Sequence, residues 1–315
     1  MKNKLLELLI VVIFLSLLIT PNIITTEILE ALKVFINTLF PSIFPFFLVS
    51  DLLISYNFPI TLNKYLKEVT KRIFHVEGAS SFVIIMSMLS GFPSGAKYIK
   101  TLLDKNLINI DEANYLITFT HFANPLFVLT VTKGLFKNTQ LSYIILICMY
   151  LSNLILGFII RPKQVKSNKK SLETLKIPNF STNLTSSIIS SLKLLAIILG
   201  NTCFFYIVTG LIMKLFHHNQ LITILINGFF DITRGITSLT NLSGFTILKS
   251  ILILTFLAFG GININMQVAS IISNSNIKYS NFLIGRICQC AISITLFFII
   301  TKCIVVIWYV WSINI

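Results

Sequence analysis

Long uncharged runs of apolar residues alternate with short charged segments along this chain. Four runs contain no Asp, Glu, Lys or Arg: residues 113–132, 138–160, 194–213 and 250–277. Each run reaches the roughly 20 residues that an α-helix needs to cross the hydrocarbon of a bilayer. Residues 34–63 form another apolar run, which carries a single acid, Asp51, near the predicted end of a helix. The pattern predicts an all-α polytopic membrane protein with about eight membrane helices and additional re-entrant hairpins.

The N-terminal segment, residues 1–30, is predicted to form a membrane helix of its own. Lys2 and Lys4 precede an apolar stretch, Leu5–Thr20, that resembles a signal peptide. No small-x-small cleavage site follows this stretch, and the sequence continues through Pro21. We therefore expect an uncleaved first helix that starts in the cytoplasm.

Composition supports lipid as the surrounding medium. Hydrophobic residues make up 55% of the chain and charged residues only 11%, whereas soluble domains carry about 25% charged residues. The net charge of +14 raises the alternative of nucleic-acid binding. The basic residues, however, lie in the short gaps between apolar runs, where the cytoplasmic loops of membrane proteins concentrate them. We therefore expect the lipid bilayer as a partner and no nucleic acid.

Two basic clusters set the predicted orientation. One is the loop 161–185, whose basic residues lie in Arg161–Lys176, and the other is the segment 64–72. Basic loops face the cytoplasm, so both clusters are expected on that side. Three apolar segments lie between the clusters, and three full crossings would place the clusters on opposite sides. One of the three segments is therefore predicted to enter and leave the membrane on the cytoplasmic side.

The predicted re-entrant segment is residues 79–108, because its helix breaks early. Gly91, Pro93 and Gly95 follow only about three helical turns, too few to cross about 30 Å of hydrocarbon. The backbone groups freed by the break need protein or water as partners. The alternative, an ordinary helix with a kink, remains open at this point.

Two parts of the chain show the same predicted order of elements. A match at an offset of 160 residues aligns the first long helix of each part, and an offset of 170 aligns Gly91 with Gly261. The first unit, residues 31–160, and the second unit, residues 186–315, begin on opposite sides of the membrane in the predicted topology. The sequence therefore predicts two inverted repeats, an arrangement typical of transporters, with the binding site at the broken helices.

A polar segment interrupts the apolar run of the second unit. Gly260 and Gly261 are followed by three amides, Asn263, Asn265 and Gln267. Amides inside a membrane are costly unless they face protein or water, and Asn263 and Gln267 share one helical face. Packing between helices is the alternative interpretation. The residues predicted to bind a solute are those of this segment together with Gly91, Pro93, Ser94 and Gly95 from the first turn.

His121, Asn124 and Pro125 place further polar groups inside the run 113–132. Pro125 has no N–H, so the carbonyl of His121 loses its helical partner. A free carbonyl, an imidazole and an amide are then expected together within the bilayer. Packing is the alternative role for His121, but the broken backbone beside it favours a position flanking the predicted site.

Asp231 and Arg234 stand three residues apart within an apolar region, and on a helix they can form an ion pair. Pairing is the usual way in which charges are tolerated inside a membrane. We expect an ion pair or a coupling site at these two residues.

No sequence motif points to an enzyme, a cofactor or a metal. The chain has no Walker loop, no Rossmann glycine pattern, no H-E-x-x-H segment and no nucleophile elbow. The five cysteines lie in apolar stretches and are odd in number, which favours neither a disulfide framework nor a metal site. We therefore predict no catalytic residue, no cofactor and no metal ligand.

Several motifs resemble those of the sporulation integral membrane protein YlbJ family: Phe40–Phe47, Ser90–Lys97, Asn124–Phe127, Gly228–Thr233 and Gly260–Ser270. They occur in the family's order and span roughly residues 30–300. The resemblance implies a nucleoside-recognition or Gate domain, a unit shared with nucleoside transporters and ferrous-iron transporters. It also implies a role in endospore formation at the cortex-forming stage, in the mother-cell membrane around the forespore.

We therefore expect a permease-like Gate-domain protein that binds or moves a small polar solute such as a nucleoside. The alternative is a membrane scaffold that recruits spore-envelope proteins without transporting a solute. Further copies of the chain or spore-envelope proteins are the expected protein partners. An intramembrane enzyme that uses His121 has little support, because no acid or nucleophile stands at a fitting spacing.

Overall fold

A computed structural model of the chain describes residues 2–76, 78–136, 139–163, 179–215, 219–244 and 246–313. The described residues form helices and connecting turns, with no β-strand among them, so the predicted all-α fold class is confirmed. Most of the predicted basic loop, from residue 164 to residue 178, lies outside the described residues.

The helices fall into two halves along the chain. The first half contains α1 (Lys2–Ile19), α2 (Pro21–Val34), α3 (Phe40–Ser55), α4 (Phe58–Phe74), α5 (Ser80–Ser90), α6 (Ser94–Asp104), α7 (Ile110–Phe119), α8 (Pro125–Phe136) and α9 (Thr139–Ile159). The second half contains α10 (Phe180–Leu215), α11 (Gln220–Phe230), α12 (Ile232–Ser238), α13 (Thr246–Phe259), α14 (Gly261–Ile272) and α15 (Tyr279–Ile313).

Several helices have the length and composition of membrane spans. Within the described ranges there are five: Pro21–Ser55, Thr139–Ile159, Phe180–Lys214, Thr246–Ile272 and Tyr279–Cys303. The shortest has 21 residues, which is long enough to cross the hydrocarbon, and the chain is therefore a polytopic membrane protein. The number differs from the predicted eight partly because the run 113–132 does not form one helix.

The first two helices differ from the prediction. A π-helical turn, Phe35–Leu39, joins α2 to α3, so Pro21–Ser55 is one continuous helix. The predicted boundary between residues 30 and 31 therefore falls inside a helix. Only Thr20 separates α1 from α2, and the backbone hydrogen bond from Thr20 N to Ser16 O continues α1 up to the junction. The chain thus bends at Thr20, before a proline that is favoured at the first helical position. No loop at this point would let the chain turn back across the membrane.

The long helix Pro21–Ser55 runs antiparallel to α10. Near its start, Glu27 packs against Gly210 at the end of α10. Farther along, Phe47 joins a cluster of buried residues with Leu195 and Ile198 from the earlier part of α10. The first long helix of one half is therefore opposite in direction to the first long helix of the other.

The predicted turn at Gly91 separates two helices that pack against each other, α5 and α6. The two ends of this first hairpin lie together, since one pocket is lined by Val76 before α5 and by Asn109 after α6. Pro162, at the start of the basic loop, lines the same pocket. The kinked-helix alternative is thus wrong. We call this side of the molecule the basic end.

A second hairpin, formed by α11 and α12, was not predicted. The two helices pack against each other, and the Gln220 side chain at one end donates a hydrogen bond to the Asn241 carbonyl at the other. Its tip is Asp231, which has extended backbone angles between the two helices. Because α10 ends beside its start, this hairpin opens at the end of the molecule opposite the basic end.

Each hairpin is followed by an interrupted helix. Residues 120–124 separate α7 from α8, and Gly260 separates α13 from α14. Apart from α1 and α4 of the first half, the order in both halves is therefore long helix, hairpin, interrupted helix, long helix. This order pairs Gly91 with Asp231, not with Gly261, so the predicted offset of 170 residues is wrong. Gly261 belongs to an interrupted helix and not to a hairpin tip.

Candidate functional site

The two hairpin tips and the two helix interruptions meet at one internal cavity of about 40 Å³. Phe92, Pro93, Asp231 and Thr233 from the tips, Asn124, Asn263 and Gln267 from the interruptions, and Ser42 and Thr202 from the long helices are among its lining residues. A cavity of this size has room for about three water molecules. The sequence-predicted segments at Gly91 and at Gly260 are thus brought together in space.

Asp231 supplies the acidic group of this cavity. It is the N-cap of α12, and its Oδ1 accepts hydrogen bonds from the Thr233 hydroxyl and from the backbone N–H of Arg234 at 3.1 Å. Its Oδ2 accepts a hydrogen bond from the Asn263 amide at 2.6 Å. The residue is only 4% exposed. All of these donors are neutral groups: a hydroxyl, a backbone N–H and an amide.

Asn263 and Gln267 lie on one face of α14, as predicted, and both line the cavity. The Gln267 amide donates to Asn263 Oδ1 at 2.9 Å, while Asn263 Nδ2 also contacts Thr202 Oγ1 at 3.3 Å. The chain Gln267–Asn263–Asp231 therefore joins the interrupted helix to the tip of the second hairpin. A solute in the cavity would meet this chain directly.

The glycine pair before these amides permits the close contact with the hairpin. Gly260 and Gly261 have positive φ values of 88° and 62°, a region that favours glycine. A Cβ on Gly261 would lie 3.0 Å from the carbonyl oxygen of Phe230 at the hairpin tip. These two glycines position the site and do not line it.

Asn265 was predicted to bind solute, but it does not line the cavity. Its amide donates to the carbonyls of Phe259 at 3.0 Å and Gly261 at 2.7 Å, and its Oδ1 accepts from the Tyr279 hydroxyl at 2.8 Å. The side chain thus satisfies backbone carbonyls at the interruption, a structural role that the buried backbone requires.

The tip of the first hairpin faces the cavity through Phe92 and Pro93. The predicted residues beside them serve packing: a Cβ on Gly91 would lie 2.4 Å from the backbone nitrogen of Asn124, and one on Gly95 would lie 2.2 Å from the carbonyl oxygen of Thr120. The Ser94 hydroxyl donates a hydrogen bond to the carbonyl of Gly91. Of the four predicted residues in this turn, Pro93 alone lines the cavity.

Asn124 lines the cavity and also holds the first interruption in place. Its Oδ1 accepts from the backbone N–H groups of Leu126 at 2.9 Å and Phe127 at 3.2 Å, which caps the start of α8 at Pro125. Its amide donates to the carbonyl of Ser42 at 3.2 Å. The side chain therefore connects the interruption to the long helix α3.

His121 does not line the cavity, contrary to its predicted flanking position. Its ring stacks on Phe92 with a centroid distance of 4.9 Å and meets Phe282 edge-on at 4.8 Å. The backbone carbonyl of His121 accepts a hydrogen bond from Asn153 at 2.8 Å and another from Arg286 at 3.2 Å. The carbonyl freed by Pro125 is therefore satisfied by protein, and His121 packs behind the tip of the first hairpin.

Arg286 lies beside the candidate site and was not predicted from the sequence. The residue is 0% exposed, and its guanidinium donates to the carbonyls of Thr118 at 2.9 Å and His121, and to Gln289 Oε1. It thus serves the backbone of the interrupted helix α7–α8. The sequence did contain an indication of its importance, since Arg286 is the single charged residue in the run 279–301.

Arg234 does not form the predicted ion pair with Asp231. Its guanidinium pairs instead with the carboxylate of Glu27, with Nη2 to Oε1 at 2.8 Å and Nη1 to Oε2. The same guanidinium donates to the Thr209 hydroxyl at 2.7 Å and lies over the Tyr206 ring at 5.1 Å. The physical reason is that Asp231, as the N-cap of α12, accepts from the backbone N–H of Arg234. The Arg234 side chain therefore extends away from the hairpin tip and reaches Glu27.

The first hairpin carries a comparable ion pair. Lys97 Nζ lies 2.7 Å from Asp51 Oδ2, and each side chain is 12% exposed. The next residue, Tyr98, donates its hydroxyl to Ser50 at 2.7 Å. Asp51 lies near the end of α3, as predicted, and its ion pair ties α6 to α3.

A wider polar vestibule of about 810 Å³ lies on the outer side of the second hairpin. Arg234 and Tyr206 line it together with Asn37 and Asn227. The Tyr206 hydroxyl contacts Thr233 Oγ1 at 3.0 Å, and Thr233 lines the internal cavity. The vestibule and the cavity are therefore separated by the contact between Tyr206 and the hairpin tip.

Comparison with known proteins gives one clear relative. No family model matches the sequence, and no solved structure matches it. The sporulation integral membrane protein YlbJ of Bacillus subtilis, strain 168, is 28% identical over 291 residues, a match that covers 80% of this chain and 71% of that protein. The chain is therefore similar to this protein over most of its length, which agrees with the resemblance to the YlbJ family that the motifs indicated.

Proposed function

We propose that this chain is a permease-like protein that binds a small polar solute in the internal cavity and moves it across a membrane during endospore formation. The observation that carries the proposal is the meeting of two hairpin tips and two helix interruptions at one cavity, where Asp231, Asn263 and Gln267 lie among mostly apolar side chains. Backbone that leaves the helical form within a membrane is tolerated where it is buried in protein or lines a watery space. Paired interruptions of this kind are typical of transporter sites.

The proposed architecture is two inverted repeats with six crossings and two re-entrant hairpins. The crossings are α2–α3, α7–α8, α9, α10, α13–α14 and α15. The antiparallel packing of α2–α3 against α10 supports the inversion, since these are the first long helices of the two halves. With the basic end in the cytoplasm, the first hairpin enters from inside and the second from outside. The cytoplasmic start of the chain stays a prediction, and it requires α1 as a seventh crossing.

Both hairpins are tied to one continuous helix, near its two ends. Glu27 pairs with Arg234 of the second hairpin, and Asp51 pairs with Lys97 of the first. At about 1.5 Å of rise per residue, these two carboxylates lie on the order of 35 Å apart along the helix. This separation matches the thickness of a bilayer's hydrocarbon, about 30 Å. The pairs therefore support hairpins that enter from opposite membrane faces.

The proposed transport step is a separation of the hairpin tips. The cavity has room for only about three water molecules in this conformation, so a nucleoside-sized solute requires Phe92 and Pro93 to move away from Asp231. The polar vestibule beside Arg234 then provides the route from the cavity to the far end of the molecule. The Asp231 carboxylate and the amides of Asn263 and Gln267 hydrogen-bond the solute once it is inside.

Sporulation enters the proposal through the relative. The Bacillus subtilis protein carries sporulation in its name, and we propose the same process for this chain, in the mother-cell membrane around the forespore at the cortex-forming stage. A scaffold that recruits spore-envelope proteins is the competing function. A scaffold needs no water-accessible cavity, so access of water to the cavity distinguishes the permease from the scaffold.

Thiol accessibility tests the proposal. The five native cysteines are replaced, and single cysteines are introduced at Gln267, which lines the cavity, and at Val268, which is 0% exposed and does not line it. A small water-soluble thiol reagent is expected to label position 267 in membranes and to spare position 268. Protection of both positions contradicts the permease and favours the scaffold.

A further inference from the structure

Helix α4, Phe58–Phe74, has three different faces. Pro59, Thr70 and Phe74 are buried against the rest of the protein. A second face carries Lys64, Lys67 and Lys71, with Glu68 and Arg72 at its edge, and all five residues are exposed. A third face carries Tyr65, Val69 and Ile73, at spacings of four residues. The helix therefore presents a basic stripe and an apolar stripe side by side.

The apolar stripe is open to the surroundings. Tyr65 is 78% exposed, Val69 52% and Ile73 38%. The helix is not among the candidate membrane spans, since five charged residues lie within its 17 residues. A helix with a strong apolar stripe, a basic stripe and low net hydrophobicity lies in the plane of the membrane–water interface.

Several contacts hold α4 at the basic end. The Arg161 guanidinium donates to the carbonyls of Arg72 and Ile73, both at 3.3 Å, and so caps the last turn of α4. The His75 ring nitrogen Nδ1 lies 2.7 Å from the carbonyl oxygen of Pro162. The start of the basic loop is thereby fixed to α4, and Arg161 adds its positive charge to that end of the helix.

We propose that α4 is a binding surface for anionic phospholipids, with Lys64, Lys67 and Lys71 contacting the headgroups and Tyr65, Val69 and Ile73 lying among the upper acyl chains. The side-by-side stripes fit the two parts of a phospholipid, a charged headgroup and an apolar chain. Near an anionic membrane surface each Lys contributes about fivefold in affinity. Two copies of this chain paired through α4 about a two-fold axis would bring basic stripes of like charge together, which disfavours a dimer as the occupant.

The test uses the purified full-length protein in an uncharged detergent. Binding of fluorescent phosphatidylglycerol and fluorescent phosphatidylcholine is measured for the wild type and for Lys64→Gln, Lys67→Gln and Lys71→Gln combined. The wild type is expected to prefer phosphatidylglycerol, and the triple variant is expected to bind it on the order of 100-fold more weakly. Added salt is expected to reduce the preference of the wild type.

The matched control changes the net charge equally elsewhere. Lys193→Gln, Lys214→Gln and Lys302→Gln remove three exposed lysines outside α4, and this variant is expected to keep the wild-type preference. Equal binding of both lipids by the wild type overturns the proposal, as does full phosphatidylglycerol binding by the α4 variant. A dimer that dissociates on Tyr65→Ser with Val69→Ser, with lipid binding unchanged, also overturns it and assigns the surface to a second copy.

Discussion

Arg234 and Glu27 form a two-bond ion pair that fastens the second hairpin to the start of the helix Pro21–Ser55. The two side chains are only 14% and 12% exposed, and Thr209 accepts a further hydrogen bond from the guanidinium. The pair joins residues that are far apart in sequence. The hairpin therefore depends on a helix from the other half of the chain for its position.

Breaking this ion pair is expected to destabilise the protein. Removing one partner leaves a buried charge without compensation, which costs about 3–5 kcal/mol. Arg234→Ala and Glu27→Ala are each expected to lower the midpoint of thermal unfolding in detergent. The combined variant is expected to lose less than the sum of the two, because the partners act together.

An exposed ion pair provides the comparison. Lys100 and Asp104 lie 2.7 Å apart one helical turn from each other, with side chains 25% and 55% exposed. Lys100→Ala is expected to change the free energy of unfolding by less than about 1 kcal/mol. If Arg234→Ala proves as mild as Lys100→Ala, the fastening role of Arg234 is wrong.

The glycines at the hairpins are expected to tolerate no side chain. Gly91→Ala would place a Cβ 2.4 Å from the backbone of Asn124, and Gly235→Ala would place one 2.3 Å from the Cα of Gly228. Both substitutions force backbone to move, so the amount of protein in the membrane is expected to fall, as measured by immunoblotting. Gly134→Ala and Gly200→Ala meet no atom within 4 Å and serve as controls. Equal abundance of all four variants would falsify the close packing of the hairpins.

The topology is tested by cysteine labelling from outside intact cells that lack the native cysteines. Positions 78 and 106, at the two ends of the first hairpin, are expected to be protected because the proposed topology places both on the cytoplasmic side. Positions 133 and 241 are expected to be labelled, since they lie at the opposite end of the molecule. Labelling of 106 together with protection of 78 rules out the re-entrant first hairpin.

Local patterns in the sequence predicted one half of the site better than the other. Gly91 and Pro93 break a helix by their own backbone chemistry, and the amides Asn263 and Gln267 stand out in an apolar run, so both segments were found. The second hairpin was missed because Asp231 ends α11 without a proline or a glycine at the tip. The break there depends on capping and on packing against Gly261, which only the folded chain supplies.

The partners of the buried charges were equally beyond a sequence reading. Spacing along a helix paired Arg234 with Asp231, whereas the true partner, Glu27, lies in a distant helix. The same limit applied to His121: the chemistry of Pro125 predicted a free carbonyl, but Asn153 and Arg286 come from two other helices to satisfy it. Local chemistry thus predicted which groups need partners, whereas tertiary packing determines which residues are those partners.

Deletion of the gene is expected to lower the yield of heat-resistant spores while vegetative growth stays normal. The reason is the similarity to the YlbJ protein of Bacillus subtilis, whose name refers to sporulation. Spores are counted after heating, and the cortex is inspected by electron microscopy. Normal spore numbers with a normal cortex in the deletion strain would remove the sporulation role and leave the cavity without a physiological setting.

The most direct test of the account is the spore yield of a deletion strain that carries Asn263→Ala and Gln267→Ala together. These changes remove hydrogen bonds worth about 0.5–1.5 kcal/mol each, and up to about 3 kcal/mol for the bond to the Asp231 carboxylate. Membrane abundance is therefore expected to stay near normal, with Asn22→Ala, an exposed amide on α2, as the control. We predict that the double variant fails to restore heat-resistant spores while the control restores them. Full restoration by the double variant at normal abundance would contradict the solute site in the cavity.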